Sequence, residues 1–96
     1  MREITLKTDP DLFQQSVEGK RDWEIRLNDR NFQVGDILIL KETKFSGKEM
    51  KDGAELIYTG RELKSKVISI FDNENSGFGL EKDWVILSVS HLESKG

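Results

Sequence analysis

The stretch GKRDWEIRLNDR, residues 19–30, concentrates charged side chains and one tryptophan in a segment that predicts a β-strand. In an extended strand Glu24 and Arg26 lie on one face, with Cα atoms about 6.5–7 Å apart. At that spacing a carboxylate and a guanidinium can address neighbouring atoms of one planar ligand, such as a nucleobase edge. Lys20 and Arg21 precede them and can meet a phosphate or a ribose. The stretch therefore predicts a polar cleft that binds RNA or a nucleotide-like small molecule.

The same charges also fit a structural interpretation. They could pair with one another across a solvated sheet face, where an exposed ion pair contributes about 0–1 kcal/mol. Spacing alone leaves both interpretations open. In either one, Trp23, Ile25 and Leu27 alternate onto the opposite face of the strand, and we expect them in the core. Under the binding hypothesis, Arg30 and Arg61 are predicted as peripheral ligand contacts.

The composition narrows the classes of function. A chain of 96 residues suffices for one hydrophobic core, so a single domain over residues 1–96 is predicted. The net charge of −3 argues against broad, salt-driven attachment to nucleic acid but leaves local basic patches open. The absence of cysteine excludes thiol catalysis and thiolate metal sites, and the only histidine, His91, is expected at the surface. We predict no metal and no cofactor.

The distribution of apolar residues gives an expectation about location. No apolar run approaches the ~20 residues of a membrane helix, and the segment MREITLKTDP lacks the apolar centre of a signal peptide. The sequence thus predicts a cytoplasmic protein without a membrane partner. It does not predict the oligomeric state.

Hydrophobic periodicity predicts an α+β chain that is mostly β. Residues 3–7 alternate as a half-buried strand, after which Asp9 and Pro10 predict a helix start, as N-cap and as first helical residue. The helix is expected to end at Gly19. Its apolar stripe, which would lie against a sheet, consists of Leu12, Phe13, Ser16 and Val17.

The second half of the chain predicts more strands. Residues 37–40 are apolar on both faces and indicate a central strand, whereas residues 41–52 are mostly polar and predict a long exposed loop. Further strands are expected at residues 55–59, 63–71 and 84–89. Residues 72–79 predict a loop, in which Gly77-Phe78-Gly79 is expected to form a turn and not a phosphate-binding loop. This pattern suggests a small curled sheet or barrel with a helix at one opening.

Several blocks of sequence resemble the small bacterial and phage ASCH-related domains of the PUA-like superfamily. The blocks are Leu12-Phe13, Val17-Glu18-Gly19-Lys20, Glu24-Ile25-Arg26, Asn28-Asp29-Arg30 and Phe32-Gln33-Val34-Gly35-Asp36, with weaker matches at Tyr58-Thr59-Gly60-Arg61-Glu62 and Trp84-Val85-Ile86-Leu87. The resemblance implies a PUA-like small β-barrel with a short helix after the first strand. It also implies binding of RNA or modified nucleotides in a polar cleft between that helix and the second strand, lined by Lys20, Glu24 and Arg26.

Two alternatives belong to other classes of function. The same superfamily contains small amidohydrolases acting on acylated cytidine, which use a lysine, a threonine and a glutamate and resemble this chain around a Gly-x-Lys motif. Here Lys20 and Arg21 follow the glycine, so the lysine is displaced or replaced, and Glu24 occupies the threonine position. These three residues are the candidate catalytic set, and hydrolysis ranks second to binding. The third hypothesis is a phage accessory protein that binds a host protein through residues 41–52.

Overall fold

The structure is a computed structural model, and it describes residues 2–72 and 80–95. Within these residues the chain forms five strands and two short helices. In chain order they are β1 (Glu3–Thr8), α1 (Pro10–Val17), β2 (Trp23–Leu27), β3 (Ile37–Thr43), α2 (Gly47–Lys51), β4 (Tyr58–Phe71) and β5 (Trp84–Lys95). The predicted α+β class with mostly β structure is confirmed in this coarse form.

The strands form one sheet in the order β1-β3-β4-β5-β2. β1 runs parallel to β3, and the other neighbouring pairs are antiparallel. The sheet curls into a half-barrel, so its two edge strands, β1 and β2, come close to each other. The Arg26 guanidinium spans the gap, because its Nη2 donates to the Lys7 carbonyl oxygen at 3.0 Å. We call this gap the seam.

The core fills the inner face of the curled sheet. On β1, Ile4 and Leu6 point inward and their neighbours point outward, as predicted. β3 has paired strands on both sides, which confirms its prediction as an interior strand. The buried apolar residues are Ile4, Leu6, Phe13, Phe32, Leu38, Leu40, Leu63, Val67, Val85, Leu87 and Val89.

Helix α1 begins where the sequence predicts, with Pro10 in its first turn. The Asp9 side chain does not cap α1, contrary to the prediction. Its Oδ1 instead accepts from the backbone N–H of Gly47 at 3.0 Å and joins α1 to α2. The helix ends at Val17, two residues before Gly19, whose φ of 76° places it in the left-handed region that suits glycine. Only part of the predicted stripe is buried, namely Phe13 and Ser16.

The orientation predicted for β2 is wrong. Trp23, Ile25 and Leu27 are exposed, and Glu24 is fully buried. The pairing with β5 gives the reason, because Glu24 lies opposite the buried Leu87 and therefore points inward with it. An alternating strand has two faces, and the curl of the sheet places the polar one inside.

The predicted exposed loop at residues 41–52 is also wrong. β3 continues to Thr43, and α2 occupies residues 47–51. A capping box begins α2: the Ser46 hydroxyl accepts from the Glu49 backbone N–H, and the Glu49 carboxylate accepts from the Ser46 backbone N–H. The signal S-x-x-E was present in the sequence, and it explains why a polar segment is ordered there.

The last two strands are longer than predicted. The strands expected at 55–59 and 63–71 are one strand, β4, and β5 continues beyond residue 89. His91 is partly buried and not a surface residue: its Nδ1 lies 2.6 Å from the Ser65 hydroxyl and its Nε2 2.6 Å from the Arg21 carbonyl oxygen. Residues 73–79, including the predicted Gly77-Phe78-Gly79 turn, lie outside the described residues. Neither described helix has the length and apolar character that a membrane crossing requires.

Candidate functional site

A buried ionic cluster lies between α1 and β2. Glu24 forms ion pairs with two guanidinium groups: its Oε2 lies 2.7 Å from Arg21 Nη1, and its Oε1 accepts from Arg26 Nη2 at 3.1 Å. Glu24 and Arg21 are buried, whereas Arg26 is partly exposed. Because unpaired charges are very costly away from water, each member of this cluster depends on the others. We call these three residues the buried triad.

Local structure positions Arg21 in the triad. Arg21 lies in the connection between α1 and β2, and its Nη1 donates to the hydroxyl of Ser16 on α1 at 3.0 Å. Its guanidinium also stacks over the Trp23 ring, 4.9 Å from the ring centre. The region still contains unsatisfied atoms, since Arg21 Nε, Glu24 Oε2 and Thr8 Oγ1 are buried without a hydrogen-bond partner among the described residues. It is a polar interior in which these three atoms lack a hydrogen-bond partner among the described residues.

Arg61 lies at α1 in a separate set of contacts. Its Nη1 donates to the side-chain oxygen of Gln14 at 3.1 Å, and it lies 3.5 Å from Glu42 Oε2. Its guanidinium is 5.0 Å from the centre of the Phe13 ring. The Thr59 hydroxyl donates to the other oxygen of Glu42 at 2.7 Å. These contacts hold Arg61 against the helix.

The space between α1 and β2, where the cleft was predicted, is filled by Arg21 and Glu24. A cleft of about 460 Å³ opens instead at the seam between β1 and β2. Its lining residues are Thr5, Leu6, Lys7, Ile25, Arg26, Leu27, Asp29, Arg30, Phe32, Tyr58 and Trp84. Its volume falls within the range of ordinary small-molecule sites, about 300–1,000 Å³. We call it the seam cleft.

The lining of the seam cleft combines positive charge with aromatic rings. Lys7, Arg26 and Arg30 contribute three cationic groups, against the single carboxylate of Asp29. Tyr58 and Trp84 supply aromatic rings that are partly accessible. Such a lining suits an anionic ligand with a flat apolar part.

The seam is tied at its other end by an ion pair between Arg2 and Asp36. Arg2, just before β1, donates through Nη2 to the carbonyl oxygen of Asn31 at 2.7 Å and to Asp36 Oδ2 at 2.7 Å. The Asp36 carboxylate also accepts from the Gln33 backbone N–H at 2.9 Å. Chiefly because of the bond from Arg2, the pKa of Asp36 is lowered, although burial opposes the shift. This pair fixes the connection after β2 against the start of β1.

The predicted site residues fall into three places. Arg26 and Arg30 line the seam cleft, and Arg21 and Glu24 lie behind it in the buried triad. Arg61 lies at α1, as described above. Lys20 is exposed, pairs with Glu18 at 3.1 Å and does not line the seam cleft.

Sequence reasoning missed Lys7, Tyr58 and Trp84 as cleft residues. Their segments are far apart along the chain, and only the curl of the sheet brings them together. The strand order that causes this is not encoded in any local motif. In the described part of the chain, no three His, Cys, Asp or Glu side chains are grouped so that they could hold a metal ion.

Comparison with known proteins gives one family. Residues 4–89 match the family described as a domain of unknown function, DUF3850. The match spans all five strands at least in part and includes every residue that lines the seam cleft. Comparison with curated proteins gives no match.

Proposed function

The chain belongs to the DUF3850 family, whose description assigns no function, and we propose from the site itself that the seam cleft binds a nucleotide unit, free or within RNA. The observation that carries this proposal is the convergence of Lys7, Arg26 and Arg30 with Tyr58 and Trp84 around about 460 Å³. A nucleotide combines a phosphate, which needs cationic donors, with a flat base, which stacks on aromatic rings.

The charge of the cleft supports an anionic ligand. The whole chain carries a net charge of −3, yet the seam cleft has three cationic side chains and one carboxylate. Local positive charge in an acidic protein favours one bound phosphate group over a long polyanion, because broad nucleic-acid binding depends on many distributed cations. The proposed ligand is accordingly a single nucleotide or a short single-stranded segment.

Different residues have different roles in this proposal. Arg30 is exposed and, in the described part of the chain, has no hydrogen bond or ion pair, so its guanidinium can reach a phosphate. Arg26 is already held by Glu24 and the Lys7 carbonyl oxygen, so it presents a fixed donor to a base edge. Arg21 and Glu24 are buried, so they act as positioning residues that orient Arg26 and do not touch the ligand.

The resemblance to ASCH-related domains points to the same class of ligand. A PUA-like barrel remains a proposal, and the curled half-barrel with a helix after the first strand is compatible with it. The order of β1, α1 and β2 and the curl of the sheet support this proposal.

The test is a fluorescence-anisotropy titration of labelled tri- and tetranucleotides of RNA, with unlabelled mononucleotides as competitors. Arg30→Ala is expected to weaken binding by about 1–3 kcal/mol and to reduce the salt dependence of binding by about one phosphate contact. Tyr58→Ala is expected to weaken binding by about 1–3 kcal/mol with unchanged salt dependence, because it removes a stacking ring.

The matched control is Lys48→Ala on α2, which removes one positive charge outside the cleft. It should leave binding unchanged. The proposal fails if the parent chain binds none of these ligands, or if Arg30→Ala and Lys48→Ala have equal effects.

A further inference from the structure

Among the described residues, the lining of the seam cleft includes one carboxylate, that of Asp29, beside the cations of Lys7, Arg26 and Arg30. Asp29 is exposed in the connection between β2 and β3, and in the described part of the chain its side chain forms no hydrogen bond or ion pair. A carboxylate repels a phosphate. In a cleft for an anionic ligand, Asp29 therefore weakens binding unless it meets a hydrogen-bond donor of that ligand.

The structural role that an aspartate often has in a turn is taken here by its neighbour. Asp and Asn are common in turns because their side chains can accept from backbone N–H groups. In this turn Asn28 does so, since its Oδ1 accepts from the Phe32 N–H at 2.9 Å. The Asp29 carboxylate is left available to a ligand.

The connection around Asp29 is held in place on both sides. Before it, the Asn28 N–H donates to the Asp83 carbonyl oxygen at 2.7 Å. After it, the Asn31 carbonyl oxygen accepts from Arg2 Nη2 at 2.7 Å. Asp29 therefore projects from a fixed backbone, which lowers the entropic cost of ordering a ligand contact there.

The groups of the seam cleft follow one another along the chain in the order of the parts of a nucleotide. Arg26, assigned above to a base edge, is followed by Leu27, and Trp84 lies opposite Leu27 on β5. Asp29 comes next, and Arg30, assigned to a phosphate, comes last. Because the ribose lies between the base and the phosphate of a nucleotide, Asp29 occupies the position that would meet the ribose.

We propose that Asp29 accepts a hydrogen bond from the ribose 2′-hydroxyl, so that the seam cleft selects a nucleotide unit of RNA over the same unit of DNA. This inference rests on the proposed nucleotide binding and adds the sugar to it. An ionised carboxylate accepts hydrogen bonds and donates none, and a ribose hydroxyl is a donor that suits it. The 2′-hydroxyl is present in RNA and absent from DNA, so one such contact distinguishes the two.

The test compares fluorescence-anisotropy titrations of three labelled trinucleotides of one base sequence, built on ribose, 2′-deoxyribose or 2′-O-methylribose. The parent chain is expected to bind the ribose form roughly 10–100-fold more tightly than the deoxy form, as one hydrogen bond to a charged group would give. The 2′-O-methyl form should bind no more tightly than the deoxy form, because it lacks the hydrogen that Asp29 would accept.

Asp29→Ala is expected to weaken binding of the ribose form by a similar factor. Binding of the deoxy form should stay the same or become tighter, because the variant also removes a charge that repels phosphate. Asp29→Asn should retain part of the preference for ribose, since its amide oxygen still accepts a hydrogen bond. A residue with only a structural role would change the binding of both forms together.

The matched control is Asp22→Ala, which removes the same charge from an exposed position before β2 and outside the cleft. It should keep the parent's preference for the ribose form. Far-ultraviolet circular dichroism and urea unfolding identify any variant that fails to fold. If Asp29→Ala does not fold, Asp29→Asn takes its place.

Equal binding of the ribose and deoxy forms by the parent chain overturns this inference and leaves the proposed nucleotide binding intact. An equal loss for both forms in Asp29→Ala also overturns it, and assigns the carboxylate to a donor on the base. A parent chain that binds none of the three trinucleotides overturns this inference together with the binding of a nucleotide within RNA.

Discussion

β1 and β2 are the two edges of one sheet, yet they bury opposite kinds of side chain. β1 places Ile4 and Leu6 in the core and turns Glu3 and Lys7 outward. β2 places Glu24 inside, fully buried, and turns its apolar residues outward. Both strands alternate with a period of two, so the difference lies in which face the curl of the sheet encloses.

The outer faces of the two sheet ends differ in the same way. At the β1 end, outward side chains of β1, β3 and β4 form ion pairs, with Lys41 and Glu62 3.5 Å apart and Lys64 and Glu3 3.7 Å apart. At the β2 end, the outward side chains of Trp23, Ile25 and Ile86 are apolar and exposed. β1 therefore carries apolar side chains inside and charged ones outside, whereas β2 carries charge inside and apolar side chains outside.

The largest effect is expected from breaking the buried triad. Glu24→Ala leaves the buried Arg21 guanidinium without its carboxylate, and it should lower the free energy of unfolding by about 3–5 kcal/mol. The measurement is urea unfolding followed by circular dichroism. The control is Glu62→Ala on the outer face, which removes an exposed ion pair and should cost less than about 1 kcal/mol. Equal losses in the two variants would show that the buried charge of Glu24 contributes no more to the free energy of unfolding than the outer charge of Glu62.

A smaller effect is expected at the tie between the two edges. Asp36→Asn weakens the bonds from Arg2 and the Gln33 N–H, and it should lower the free energy of unfolding by about 1–2 kcal/mol at pH 7. Because folding lowers the pKa of Asp36, its contribution is complete above its ordinary value near 3.9 and is lost as the pH falls through the lower folded value. The parent and Asp36→Asn should therefore converge in stability in acid. A constant difference from pH 7 to pH 2 would contradict this account.

The unmodified protein is expected to show no hydrolysis of N4-acylated cytidine. Glu24, the only carboxylate of the candidate catalytic set, is fully buried between two guanidinium groups and cannot reach a substrate. Chromatography of the nucleoside after incubation with purified protein should show no released cytidine. Turnover that Glu24→Gln abolishes and Lys48→Ala retains would make the interior of β2 a catalytic site and reverse its interpretation as a scaffold.

The sequence predicts the local elements of this fold and not their assembly. The alternation in β1 and the Pro10 helix start are local signals, and both are confirmed. The face of β2 was not predictable, because a charged row becomes an inner row only when Arg21, outside the strand, folds back to pair with Glu24. The residues of the seam cleft come from strands that meet only after the sheet curls.

Other errors in the prediction have local causes. A break between two strands was expected before residue 63, but β4 continues there. Gly60, with a φ of 94°, lets the strand pass through an irregularity in its pairing with β3. The Ser46 and Glu49 capping box lies in a segment with few apolar residues, and a segment of that composition is typical of a loop. Its helix depends on end caps and not on a buried apolar stripe.

The strand order also has a consequence for the time course of folding. β2 is the second strand along the chain but pairs only with β5. Trp23 therefore gains its strand partner, Ser88, only after the C-terminal part of the chain has folded. Pairings between distant segments slow folding, and strands that wait for them are exposed to wrong associations. We expect β2 to join the sheet last during refolding, while β3 and β4 pair early through their shorter connection. During that delay the apolar side of β2, formed by Trp23, Ile25 and Leu27, is exposed and vulnerable to aggregation.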